Sequence, residues 1–67
     1  QRLNRSMRFA LKAAQEEPLF VSALYMGSGD VYWTSRAADA CSYSSLERAK
    51  AAATLSGERL EIIPVLQ

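Results

Sequence analysis

The chain has 67 residues, eight basic and seven acidic side chains, one cysteine and no histidine, for a formal charge of +1. One cysteine rules out an intrachain disulfide, and the absence of histidine rules out Ser-His-Asp and Cys-His catalysis and leaves no usual zinc ligand set. A chain this short makes one domain and buries only about 60% of its unfolded surface, so self-association is the expected staple.

The charge is unevenly spread. Arg2, Arg5, Arg8 and Lys12 meet no acid among residues 1–14, whereas four bases face seven acids afterwards. Such a basic start is an electrostatic handle for nucleic acid or an acidic partner, set against the commoner role of a solvated face. Residues 1–6 are expected to be a leader or basic arm, with a single domain over 7–67. The unpaired Cys41 fits a reducing compartment, and no apolar run approaches the ~20 residues that span a bilayer. The expectation is a cytoplasmic protein.

The first segment carries two patterns. As a helix, Leu3, Met7, Ala10, Leu11 and Ala14 share a face opposite Arg5, Arg8 and Lys12. As a strand, Met7, Phe9 and Leu11 alternate with Arg8, Ala10 and Lys12. Pro18 ends either one, because the residue before proline leaves helical geometry. Leu19 to Met26 is the next strand, with Leu19, Val21, Ala23 and Tyr25 on one face and Phe20, Ser22, Leu24 and Met26 on the other. Gly27-Ser28-Gly29-Asp30 is a turn, and Val31 to Thr34 returns as a second strand rich in aromatic and β-branched residues.

Ser35 to Tyr43 has no clear period and is expected to be a helical turn and packed loop. Asp39 there is a turn or capping residue. A helix is expected from Ser44, where Ser44 and Glu47 match a capping box. Leu46, Ala49, Ala52 and Ala53 form its inward stripe, and Gly57 occupies the left-handed position that ends it. Leu60 to Val65 closes as a strand. Pro64 lacks an N–H and belongs at a strand end or sheet edge.

Two fold readings follow, both α+β. The first is a small antiparallel sheet with one helix on one face, β-β-β-α-β. The alternative is α-β-β-α-β, with an N-terminal amphipathic helix. In either, Trp33 is expected beneath the helix with Val31, and Tyr32 on the opposite face. One helix covers one side of a four-stranded sheet, so the other side is left with apolar and aromatic groups. Such patches mark partner surfaces.

The layout resembles a recurring one. Met7-Arg8-Phe9-Ala10-Leu11-Lys12, a hairpin ending Trp33-Thr34, Ala40-x-x-Tyr43-x-Ser45, Glu47-x-Ala49, Leu55-x-Gly57 and Glu61-Ile62-Ile63-Pro64-Val65 are similar to small, uncharacterised proteins of bacteriophages and mobile elements. The chain departs from that pattern in its longer basic start and in Tyr43, where phenylalanine is more usual. The resemblance implies a short antiparallel sheet, a loop, one helix and a closing strand. It implies no catalytic residue and no cofactor, and it favours strand over helix for the first segment.

The functional expectation is a small non-catalytic protein-binding module, homodimeric or a phage-encoded modulator of a host protein. Phe20, Leu24 and Tyr32 are the partner-binding candidates. The alternative is a nucleic-acid-binding module, with Arg2, Arg5, Arg8 and Lys12 on phosphates and Phe20, Tyr25 or Tyr32 stacking on bases. No catalytic or metal-ligating residue and no cofactor is expected.

Overall fold

The computed structural model describes residues 7–66; Arg2, Arg5 and the expected leader lie outside them. The first segment is the strand β1, Met7–Ala13, so over these residues the helical alternative gives way to the strand. Alternation wins because it buries Leu11 and keeps Lys12 at the surface; a helix would have left Phe9 among the bases. The remaining elements are β2 Phe20–Tyr25, β3 Asp30–Thr34, a 3₁₀ turn Ala37–Asp39, β4 Ser42–Tyr43, the helix α1 Leu46–Ser56, and β5 Leu60–Leu66.

The five strands make one antiparallel sheet. β5 runs along the whole of β1, from Met7 opposite Leu66 to Ala13 opposite Leu60. The other edge of β1 is shared. β2 meets it at Lys12 opposite Phe20, and β4 meets it at Phe9 opposite Tyr43 and Ala10 opposite Ser42. β4 is the strand that the patternless Ser35 to Tyr43 segment conceals. It is held at its entry by the Cys41 N–H, which donates to the Val21 carbonyl at 3.0 Å.

β2 and β3 form the expected hairpin, closed by the Gly29 N–H donating to the Tyr25 carbonyl at 2.7 Å. Gly29 stands at φ 79°, where a Cβ would be strained. Val21 pairs with Trp33 but Ala23 pairs with Tyr32, so Ser22 is an extra residue in β2. That bulge reverses the alternation. Val21 and Leu24 share the helix side, while Ala23 and Tyr25 turn to the other side.

α1 starts one residue later than its sequence pattern indicates. Ser45, not Ser44, is the N-cap, and its hydroxyl accepts from the Arg48 N–H at 3.1 Å. The capping box of Ser44 with Glu47 is therefore not formed. Glu47 instead lies in the first turn, where its charge favours the positive end of the dipole. Gly57 ends the helix at φ 73°, as expected. Ser56 completes that end, donating to the Ala53 carbonyl and accepting from the Glu58 N–H.

The core is Leu11 and Val21 against Ala49 and Ala52, with Phe9, Leu24, Val31, Cys41, Tyr43, Ala53, Leu60 and Ile62 packed around them. Leu46 is not part of the inward stripe: as the first helical residue it overhangs the sheet and is exposed. Pro64 lies on β5, an outer strand, as a residue without an N–H to donate should. The molecule measures 43 × 25 × 16 Å, with a radius of gyration of 12.1 Å. A compact chain of this length would have about 11 Å; the excess reflects a thin, elongated layer.

Candidate functional site

Cross-strand pairing sorts the side chains of the sheet into two faces. Directly opposed residues of antiparallel strands point the same way. Leu11, Val21 and Ile62 face the helix. The outer face therefore carries Arg8, Ala10 and Lys12 from β1, Phe20, Ala23 and Tyr25 from β2, Tyr32 and Thr34 from β3, and Glu61, Ile63 and Val65 from β5.

On that face two tyrosines meet. Tyr25 and Tyr32 stand diagonally across the hairpin, with ring centroids 5.5 Å apart and planes at 87°, an edge-to-face pair. They are 56% and 54% exposed, and Met26 in the adjoining turn is exposed as well. The bulge at Ser22 puts Tyr25 there, since unbroken alternation would have sent it to the helix side with Val21.

The partner-binding candidates do not form one surface. Tyr32 is on the outer face and open. Phe20 is on the same face but only 7% exposed, between Lys12 and Thr34 on the flanking strands. Leu24 is on the helix side, packed against the core, because the bulge shifts it there. Sequence reasoning grouped Phe20 with Leu24 by strict alternation, and alternation carries no sign of an inserted residue.

The basic residues on described strands are already engaged. Arg8 donates to the Ser42 hydroxyl at 2.7 Å and to the Ser42 carbonyl at 3.0 Å, tying β1 to β4. Lys12 donates to the carbonyls of Ala13 and Gln15, at 3.1 and 2.7 Å, closing the turn after β1. Its cross-strand neighbour on β5 is the acid Glu61.

A second feature lies on the helix side. A groove of about 350 Å³ opens beside the C-terminal end of α1, between Trp33, Leu19, Ala13 and the Gly57–Arg59 link. Trp33 lines it and is 37% exposed. It faces the helix side, as expected, yet it does not lie beneath the helix. α1 packs mainly on β1, β4 and β5, and the hairpin joins the core beneath it only through Val21, Leu24 and Val31. Val31 does reach the core.

Cys41, just ahead of β4, and Tyr43 on it share the helix side. The thiol stands 3.9 Å from the phenol oxygen. Burial, then the neighbouring thiol, push the Tyr43 hydroxyl up to about 12. Asp39 pairs with Arg36 at 3.4 Å on an exposed turn. No helix among the described residues is long and apolar enough to cross a membrane.

The fold and the site together define a small α+β protein: a five-stranded antiparallel sheet, one helix on one side, and an aromatic pair on the other. Comparison with known proteins finds no match among family models, curated proteins or solved structures.

Proposed function

We propose that this chain is a small non-catalytic protein-binding module that contacts its partner, or a second copy of itself, through the β2–β3 hairpin. The observation that carries the reading is the exposed Tyr25–Tyr32 pair on a face that no helix covers among the described residues. Tyrosine supplies a large, rigid contact area with a polar tip, and is enriched among the residues that dominate interface energies. In this reading the setting is the cytoplasm. The likeness to phage and mobile-element proteins extends it: the partner is a host protein whose action the chain modulates.

The test is capture from bacterial lysate by the immobilised chain, with the retained protein identified and its affinity measured on purified material. Tyr25→Ser with Tyr32→Ser should weaken that affinity by about thirtyfold, the equivalent of ~2 kcal/mol for an interface anchor. An undiminished affinity in the double variant would remove the hairpin face from the reading.

One observation favours nucleic acid as the second reading: Arg8 and Lys12 share the outer face with Tyr25 and Tyr32. Their engagement with Ser42 and with backbone carbonyls weighs against it. Binding of single-stranded probes that weakens steeply with salt would establish this reading, and no binding at low ionic strength would end it.

A further inference from the structure

The two long outer strands of the sheet are not alike. β5 forms one of them and carries the marks of a guarded edge: Pro64, which cannot donate, and the exposed acid Glu61. β3 forms the other, Asp30–Thr34, and has neither proline nor lysine. Its centre, Val31-Tyr32-Trp33, is made of strong strand formers. Among the described residues no strand pairs with its outer side.

The ends of β3 carry opposite charges. Asp30 opens the strand, and Arg36 follows two residues after Thr34 with an extended backbone, φ −106° and ψ 118°. The Arg36–Asp39 pair is exposed and long, so it holds the guanidinium weakly. Antiparallel pairing of β3 with itself would bring Asp30 of each copy to the Arg36 end of the other. Parallel pairing would set like charge beside like.

We propose that β3 is a self-pairing edge and that its occupant is β3 of a second copy, antiparallel, with Trp33 at the two-fold axis, the register that sets Asp30 of each copy opposite Arg36 of the other. This rests on the protein-binding reading and names its partner as a second copy of the chain. The charge pattern is self-complementary, which an isologous interface requires. The small core gives the chain reason to gain buried surface from a second copy. A five-residue strand is only about 17 Å long, so the interface is small and the dimer forms over micromolar concentrations.

Sedimentation equilibrium of the full chain across a wide concentration range reads this directly. The natural chain should shift from monomer to dimer. Asp30→Arg and Arg36→Asp should each weaken the dimer about tenfold, and the two together should restore it, because the swapped charges face each other again. Hydrogen exchange gives a second readout: amides of residues 31–34 should gain protection as concentration rises, with no such gain along β5. A chain that stays monomeric throughout overturns the proposal, as does a dimer indifferent to the charge swap or one protected along β5. Self-association is measured on the chain alone and partner capture on the immobilised chain, so either reading can fail without the other.

Discussion

Leu11→Ala is the substitution for which the fold sets the sharpest expectation. Leu11 is wholly buried at the centre of β1, beneath Ala49 and Ala52 and beside Val21. Truncation removes three carbons from water-free surroundings, worth about 2.4 kcal/mol at ~0.8 kcal/mol per group. The neighbours cannot close the gap: two of them are alanines on a helix whose position is fixed by contacts with three strands. The cavity term therefore adds to the transfer term, and the total should be about 3–4 kcal/mol. A domain of this size has roughly 3–10 kcal/mol to lose. The variant should be largely destabilised, with a urea midpoint shifted far below that of the natural chain. Trp33, the single tryptophan, is the fluorescence probe. Leu55→Ala is the control, since Leu55 is 66% exposed and should cost under about 0.5 kcal/mol. A cost below about 1 kcal/mol for Leu11→Ala, or equal costs for the two, would refute this packing of helix on sheet.

Three further outcomes follow from the caps and the partly buried phenol. Ser45→Ala should cost about 1 kcal/mol, lowering the thermal midpoint by roughly 4–8 °C, while Ser44→Ala should change it little. The reverse result in thermal denaturation would restore the capping box. Gly57→Ala should cost about 1 kcal/mol through its positive φ alone, because a Cβ there meets no atom within 4 Å, whereas Gly27→Ala should be neutral or mildly stabilising in the same assay. Tyr43 ionises at about 12 when folded against 10.0 for the free side chain. The folded state keeps the proton more tightly, so this contribution is complete below pH 10 and is lost as pH rises from about 10 through 12. Discounted for partial exposure, the loss is roughly 1 kcal/mol. Urea titrations at pH 9 and 11 should show a smaller decline for Tyr43→Phe, and equal declines would contradict the assignment.

What could be read from the chain alone was set by how local each signal is. The glycine turn and Gly57 need only their own backbone conformation; Gly57 appears where the sequence puts it, and the turn is displaced by one residue, taking in Met26 and giving Asp30 to β3. Pro64 reports a missing donor and sits on an outer strand. The cap is misread by one residue because Ser44 and Ser45 offer the same hydroxyl, and Glu47 happens to complete a box with the wrong one. β4 is invisible because two residues carry no period, and its place depends on an edge of β1 that β2 leaves open. The site suffered most from the bulge. One unpaired serine moves Leu24 into the core and Tyr25 onto the open face, and nothing in the residue types around Ser22 marks the insertion.

The same geometry explains why much of the hairpin lies outside the cover of the helix. Alanine at 49 and 52 lets the helix backbone approach the sheet closely, and close approach narrows the strip it shields. A helix is about 10 Å across and strands repeat every ~4.8 Å, so one helix shields about two strand spacings. Those are spent on β1 and β5, with β4 filling the end. Most of β2 and β3 extends beyond the helix, touching its core only at Val21, Leu24 and Val31, and Trp33 then stands at its rim, beside the groove instead of below the alanines. Longer side chains at 49 and 52 would lift the helix and widen its cover, at the cost of the packing that holds Leu11. The open hairpin, with Tyr25 and Tyr32 on one side and Trp33 on the other, is thus a consequence of the alanine stripe. Among the described residues the exposed aromatic rings, Tyr25, Tyr32 and Trp33, are thus gathered on the hairpin, which joins the core only through Val21, Leu24 and Val31.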